Sequence, residues 1–136
     1  MSDQDAVLFA NEAFYRAFAD RDLPAMEALW SRRSPVACIH PGWNALTDRA
    51  AVMESWAGIF GSGSSPKIRC LGPAAYIAGD AAFVICYEMV DDGVLVATNI
   101  FVREDGVWTM VHHQAGQTLQ EPPVTESAEE DGGTMH

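Results

Sequence analysis

Apolar residues near the N-terminus recur at helical spacing. Between Asp5 and Asp20 the recurring positions are Val7, Leu8, Ala10, Phe14, Ala17 and Phe18. This period predicts an amphipathic helix with one buried face. Asp22 then precedes Leu23-Pro24, which supplies a capping side chain and an early-turn proline for a second, short helix ending near Trp30.

A short strand and a third helix follow. Val36 to His40 has the composition of a strand, and Pro41-Gly42 ends it with a turn. Thr47 can cap a helix that runs from about Asp48 to Phe60. The apolar residues along one side of that helix are Val52, Trp56, Ile59 and Phe60.

The rest of the chain has the alternation and the turn signals of β-structure. The predicted strands are Lys67 to Ala78, Ala81 to Val90, Val94 to Arg103 and Val107 to Thr118. Gly79-Asp80, Asp92-Gly93 and Asp105-Gly106 are short hairpin signals between them. We therefore expect an α+β fold in which three helices cover the concave face of a strongly curved, mostly antiparallel sheet and leave an internal apolar pocket.

Two-residue turns would place Cys86 opposite Asn99 and Asn99 opposite His112. One sheet face would then carry Val84, Cys86, Glu88, Ala97, Asn99, Phe101, Trp108, Met110, His112 and Gln114. The other would carry Ile85, Tyr87, Met89, Val96, Thr98, Ile100, Val102, Thr109, Val111 and His113. Both are apolar enough to be buried, which predicts helices on one face and a second copy of the chain on the other, as a homodimer.

Periodicity does not decide which face lines the pocket. The first face is the more suggestive, because Glu88, Asn99, His112 and Gln114 could converge within an apolar wall. A buried polar group needs a partner, which a ligand can supply.

The net charge and the composition limit the kinds of molecule that the protein is expected to bind. The 136 residues carry a net charge of −11, with 49% hydrophobic and 20% charged residues. An acidic surface repels phosphate backbones and anionic headgroups, so we expect neither nucleic-acid nor membrane partners. The N-terminus has no signal-peptide pattern, which favours a cytoplasmic protein. The three cysteines are expected to be buried free thiols.

The last eighteen residues differ from the rest of the chain. Five acidic residues and no Lys or Arg follow Leu119, among Pro, Gly, Ser and Thr. We expect one domain over residues 1–118 and a mobile acidic tail over residues 119–136. An accessory role carried by the tail is a further, weaker possibility.

Two segments carry a resemblance to a known family. The first comprises Tyr15-Arg-Ala-Phe-Ala-Asp-Arg-Asp22-Leu-Pro-Ala-Met-Glu-Ala-Leu-Trp30 and Ile39-His40-Pro41-Gly42, and the second runs from Thr98 to His113. Together they resemble the nuclear transport factor 2-like superfamily, in particular its SnoaL-like branch, over about residues 5–118. This superfamily includes isomerases, dehydratases, cyclases and binding modules, so the resemblance implies a fold more strongly than a function.

The resemblance also implies candidate catalytic residues. Ketosteroid isomerase members use a tyrosine and a protonated aspartate as oxyanion donors and a second aspartate as base. On this chain Tyr15 falls on the tyrosine, His40 on the base and Asn99 on the second donor. Histidine suits proton transfer at neutral pH. Asn99 stabilises an enolate less than a carboxylic acid would, which favours related proton-transfer chemistry over steroid isomerisation.

Each candidate has a structural alternative. His40 could cap the turn before Pro41-Gly42, Tyr15 could be a core residue, and Asn99 could serve a structural hydrogen bond. Glu88 would have a raised pKa inside the pocket but would be exposed by a one-residue slip in register. His112 and His113 point to opposite faces of a regular strand, so we expect no metal site and no cofactor.

The sequence thus predicts a protein that binds a small apolar molecule. If it is an enzyme, it is expected to be a cofactor-independent isomerase, dehydratase or cyclase with His40 as base and Tyr15 and Asn99 polarising a carbonyl. The residues expected to contact the substrate are Trp43, Trp56, Glu88, Phe101, His112 and Gln114. The alternative is a non-catalytic ligand-binding or dimerisation module. The substrate and the pathway are not encoded in any motif.

Overall fold

The structure, a computed structural model, describes residues 1–63, 67–91 and 93–123. The helices are α1 (Asp3–Asp20), α2 (Leu23–Leu29) and α3 (Arg49–Gly61). The strands are β1 (Ala37–Ile39), β2 (Arg69–Ala78), β3 (Ala81–Val90), β4 (Gly93–Glu104) and β5 (Val107–Gln117). The predicted α+β class is confirmed, with three helices and one five-stranded sheet. Within the described ranges, no helix has the length and apolar character needed to cross a membrane.

Side-chain caps fix where the helices begin. The Ser2 side chain accepts a hydrogen bond from the backbone N–H of Asp5, and the Asp22 side chain accepts one from Ala25. The third helix is capped by Asp48, one residue later than the Thr47 cap that we expected. Each cap satisfies a backbone donor that has no partner inside its helix.

The sheet order is β1-β5-β4-β3-β2, in which β1 runs parallel to β5 and the other neighbours are antiparallel. The β3–β4 hairpin pairs Val90 with Gly93, so its register is shifted from the one expected. Cys86 pairs with Ala97, and Asn99 pairs with Val84 rather than with Cys86. Each residue of β3 pairs with a β4 residue two positions earlier than expected. A shift by two residues leaves every side chain on the same face of the sheet, so the same side chains still face the helices.

A β-bulge reverses the alternation along β5. Phe101 of β4 pairs with Met110, but the preceding residue of β4, Ile100, pairs with His112. Val111 is therefore an extra residue in β5 without a partner position on β4. Beyond this point, the side chains of β5 that would have faced outward face inward. The prediction that His112 and Gln114 line the interior is therefore wrong.

The outcome is visible in the burial of the last strand. His113 is 1% exposed and pairs with Asn99, whereas Gln114 is exposed on the outer face and His112 is half-buried there. The first of the two faces described above is the inner one, since its members on β3, β4 and the start of β5 are buried. These residues are Val84, Cys86, Glu88, Ala97, Asn99, Phe101, Trp108 and Met110.

An aromatic cluster fills the space between the helices and the sheet. Trp56 of α3 packs edge-on against Phe14 and Phe18 of α1, with ring centroids 5.5 and 5.0 Å apart. Phe14, Trp56 and Phe101 are fully buried. The centre of the fold is thus occupied by side chains, which confines ligands to spaces at its edges.

Residues 124–136, which include most of the predicted mobile tail, lie outside the described residues. The domain boundary after residue 118 stays a prediction.

Candidate functional site

Five polar side chains meet under α1. We call Asn11, Tyr15, Glu88, Asn99 and His113 the buried polar cluster; each is at most 5% exposed. They come from α1, β3, β4 and β5, so the tertiary fold assembles them from positions up to 102 residues apart in the chain.

Tyr15 is the centre of the cluster. Its hydroxyl donates to Glu88 Oε2 at 2.6 Å and accepts from Asn99 Nδ2 at 3.1 Å. The Cys86 sulfur lies 3.3 Å from the same hydroxyl. A distance of 2.6 Å is typical of a strong O–H···O⁻ hydrogen bond. The structure therefore brings Tyr15, Asn99 and Glu88 together in one hydrogen-bonded group.

His113 holds the amide of Asn99 from the other side. Its Nδ1 lies 2.6 Å from Asn99 Oδ1, and its Nε2 lies 3.8 Å from Glu88 Oε2. The second distance exceeds hydrogen-bonding range. The imidazole packs against the Phe14 ring at 4.9 Å and the Trp56 indole at 5.9 Å between centroids.

The hydrogen bonds of the cluster have one consistent direction. An ionised Glu88 only accepts, so Tyr15 must donate to it and must accept from Asn99 Nδ2. The amide oxygen of Asn99 then faces His113, which must carry its proton on Nδ1. The remaining N–H of Asn99 donates to Asn11 Oδ1 at 2.9 Å. With Glu88 ionised, these hydrogen bonds fix the orientation of the Asn99 and Asn11 amides and the tautomer of His113.

Burial makes the cluster an unusual place for ionisation. Loss of solvation raises the pKa of Glu88 to about 7, although the hydrogen bond from Tyr15 opposes the rise. Burial lowers the pKa of His113 to about 3, and the neighbouring His40 and His112 contribute to that decrease. The pKa of Tyr15 is raised well above its usual value by burial and then by Glu88. Glu88 is therefore the group of the cluster that exchanges a proton near neutral pH.

His40, the predicted base, lies next to the cluster but outside it. Its Nε2 is 2.9 Å from Ser55 Oγ, and that hydroxyl donates to the Val52 carbonyl at 2.6 Å, so His40 donates to Ser55. The His40 and His113 rings have centroids 6.4 Å apart. Burial lowers the pKa of His40 to about 4, which makes it a weaker base than a free histidine.

A cavity of about 830 Å³ opens between α1 and β2. Asn11 and Tyr15 of the buried polar cluster line it together with Cys70. The apolar part of its lining consists of Met1, Leu8, Phe9, Ala19, Leu71 and Pro73, and the charged part consists of Asp5, Glu12, Arg16 and Arg69. We call this space the α1–β2 cavity. Two members of the buried polar cluster therefore lie in the wall of this cavity.

A second cavity of about 530 Å³ lies against α3 and is lined by Trp43 and Ser55. Trp43 is 49% exposed and its indole packs on His40 at 4.8 Å. Trp56 and Phe101, both expected to contact substrate, are fully buried in the aromatic core. In residues 1–63, 67–91 and 93–123, no three His, Cys, Asp or Glu side chains are grouped as metal ligands.

Sequence reasoning missed Asn11 and His113. Asn11 lies one turn before Tyr15 on an otherwise apolar helix face, and that spacing was a usable signal. His113 was assigned to the outer face because nothing in the sequence around Val111 marks a bulge.

The comparisons with known proteins agree with this architecture. Residues 7–119 match the SnoaL-like domain family. A candidate dehydratase of the NTF2-like family from Streptomyces avermitilis is 29% identical, with a TM-score of 0.78 over 87% of this chain and 97% of that one. A candidate calcium/calmodulin-dependent protein kinase type II association domain from Thiobacillus denitrificans is 34% identical, with a TM-score of 0.73 over 80% of this chain and 92% of that one.

A curated plant relative shows the same domain in a longer protein. The F-box protein SKIP8 of Arabidopsis thaliana is 31% identical over 116 residues, which are 84% of this chain and 50% of that protein. The chain thus spans half the length of this relative. From the matched family and the shared fold, the chain belongs to the SnoaL-like domain family of the NTF2-like superfamily.

Proposed function

We propose that the protein binds a small, mainly apolar molecule in the α1–β2 cavity and catalyses a cofactor-independent proton transfer on it. The observation that carries the proposal is the 2.6 Å hydrogen bond from Tyr15, which lines the cavity, to the buried carboxyl of Glu88. An acid that titrates near pH 7 is suited to act as a general base and then as a general acid.

The proton would move in two coupled displacements. Tyr15 Oη takes a proton from a C–H group next to a carbonyl of the ligand, while the hydroxyl proton of Tyr15 passes to Glu88 Oε2. The Asn99 N–H that bonds to Tyr15 Oη stabilises the charge that develops on the phenol oxygen. Return of the proton from Glu88 through Tyr15 to another carbon of the ligand completes an isomerisation. Return of the proton to a β-hydroxyl, which then leaves as water, completes a dehydration.

Glu88 takes the role that the sequence suggested for His40. The pKa of Glu88 is raised to about 7, whereas that of His40 is lowered to about 4. His40 is also engaged with Ser55 and has no direct bond to Tyr15 or Asn99. The 29% identical candidate dehydratase is consistent with this class of reaction.

Replacing Tyr15 with phenylalanine is expected to slow proton transfer by about a hundredfold or more, because the relay to Glu88 is lost. The probe is 2-indanone, an apolar ketone with acidic α protons. The measurement is the loss of its α-proton NMR signal in D₂O. The rate of the unaltered protein should rise with pH through about 7 as Glu88 ionises.

Tyr87→Phe is the matched control, because Tyr87 lies on β3 with its side chain on the outer sheet face. Its exchange rate should equal that of the unaltered protein. Equal rates for Tyr15→Phe and Tyr87→Phe would disprove the relay.

The alternative function, a binding or dimerisation module, is favoured by the outer face of the sheet. Tyr76 and Phe83 stack there with centroids 4.9 Å apart and are 48% and 38% exposed. Ile85, Tyr87 and Ile100 are half-buried on the same face. The 34% identical relative is a candidate association domain. We propose that this face pairs with a second copy of the chain, in addition to the chemistry above.

Ile85→Lys is expected to convert a dimer into a monomer, because a charge at the centre of an apolar interface stays unpaired. Light scattering coupled to size-exclusion chromatography measures the mass. Val107→Lys is the control, since Val107 is apolar and 60% exposed but lies at the β4–β5 turn. A monomeric unaltered protein would refute the interface.

A further inference from the structure

The amide of Asn11 is buried yet only weakly engaged on its donor side. The side chain is 1% exposed, and its Oδ1 accepts from Asn99 at 2.9 Å. Its Nδ2 donates to the Cys70 sulfur at 3.8 Å. Sulfur is a weak acceptor, and an amide group has two N–H donors. A buried amide of this kind retains donor capacity for a better acceptor.

The Asn11 side chain lines the α1–β2 cavity. Asn11 and Cys70 both line the cavity from opposite walls, α1 and β2, so the contact between them lies at its surface. Tyr15, the neighbouring polar residue of the wall, already donates its one hydroxyl proton to Glu88. Arg16 and Arg69 also line the cavity, but both are exposed to solvent. The amide N–H of Asn11 is therefore the buried donor best placed to meet an acceptor on a ligand.

The orientation of the Asn11 amide is set by the rest of the cluster. An ionised Glu88 requires Tyr15 to donate, and Tyr15 then accepts from the NH₂ group of Asn99. The same NH₂ group donates to Asn11 Oδ1 and so fixes the position of that oxygen. The NH₂ group of Asn11 consequently points to the Cys70 side. Preorganised donors of this kind discriminate between ligands without a cost of reorientation.

We propose that Asn11 is the residue that selects the ligand of the α1–β2 cavity, by donating a hydrogen bond from Nδ2 to a carbonyl or similar neutral acceptor oxygen on an otherwise apolar molecule. This inference rests on the proposed function, since it assigns the ligand class of the same cavity. The apolar body of the ligand packs on Leu8 and Phe9, while its oxygen displaces the weak contact to Cys70.

The test compares two ligands that differ by one oxygen, 2-indanone and indane. Calorimetry gives the Kd of each for the unaltered protein and for Asn11→Leu. In Asn11→Leu, the Kd of 2-indanone should rise by about fivefold to tenfold relative to the Kd of indane, because one hydrogen bond to the ketone oxygen is lost. Leu8→Ala is the control, because it weakens both ligands and leaves their ratio unchanged.

A second measurement avoids dependence on the folding of Asn11→Leu. The infrared carbonyl stretch of ¹³C-labelled 2-indanone bound to the unaltered protein should lie below its value in a hydrocarbon solvent, as a hydrogen-bonded carbonyl does. It should remain low in Leu8→Ala, which keeps the Asn11 amide and the hydrogen bonds that orient it. A stretch at the hydrocarbon value in the unaltered protein would overturn the proposal.

The outcomes separate this inference from the proposed function. An unchanged ratio of Kd values, with α-proton exchange still present, overturns the role of Asn11 alone. No binding of either compound and no exchange overturns both the ligand class and the proposed reaction. A changed ratio without exchange supports Asn11 as the selecting residue of a binding module.

Discussion

Replacing Glu88 with glutamine is expected to remove a pH dependence of stability worth roughly 3 kcal/mol. The folded-state pKa of Glu88 is raised from 4.5 to about 7 by burial. Below pH 4.5 the carboxyl is neutral in both the folded and the unfolded chain. As the pH rises towards 7 the unfolded chain ionises first, so stability is lost across this window, by about 1.4 kcal/mol for each unit of pKa difference.

Glutamine cannot ionise but can still accept the hydrogen bond from Tyr15. The variant should therefore be more stable than the unaltered protein at pH 8, and the difference should vanish near pH 4.5. His40 and His113 titrate in both proteins, with folded-state pKa values lowered to about 4 and about 3. Their contribution, which is lost as the pH falls below 6.5, cancels in the comparison.

Urea unfolding at half-unit pH steps measures this difference. Glu12→Gln is the control, since Glu12 is an exposed residue of α1 whose partner is Arg16 at 2.8 Å. It reports the effect of removing an exposed carboxyl. A difference for Glu88→Gln that does not change with pH would show that Glu88 is not held in the environment described above.

Replacing Trp56 with alanine is expected to lower the free energy of unfolding by about 4 kcal/mol. The indole is fully buried and contacts rings from α1, α3, β5 and the segment after β1. Its loss removes a large apolar surface from the core and leaves a cavity that rigid neighbours cannot close.

The variant should also loosen the polar cluster, because Trp56 packs on both His40 and His113. Urea unfolding gives the stability, and Trp43→Ala is the control because Trp43 is 49% exposed. We expect the control to cost about 1 kcal/mol or less. Similar losses for both variants would contradict the assignment of Trp56 to the centre of the core.

The aromatic core also explains why the proposed site lies at an edge of the fold. Phe14, Trp56 and Phe101 occupy the space that the sequence suggested as a pocket. The polar cluster lies beside them, and two of its members, Asn11 and Tyr15, line the α1–β2 cavity. In the proposed function, the ligand meets the cluster from this side.

Local patterns determined the elements of this protein. Helical spacing of apolar residues placed α1, and Asp22 with Pro24 placed the start of α2, because capping and φ preferences act within a few residues. Asp105-Gly106 fixed the β4–β5 hairpin, since both residues adopt the positive φ that a tight turn of this hand requires. Alternation along β3 and β4 placed Glu88 and Asn99 on the same sheet face, and burial in the structure shows that this is the inner face.

Only the tertiary structure decided which groups act together. The extra residue at Val111 turns His113 instead of His112 towards the polar cluster. A bulge depends on how two strands bend around a core, which is not visible in the alternation of the sequence. The pKa of Glu88 and the weak basicity of His40 follow from burial by helices that are distant in the chain. Sequence periodicity assigns a side chain to a face, whereas burial and hydrogen-bond partners depend on what the completed fold packs against that face.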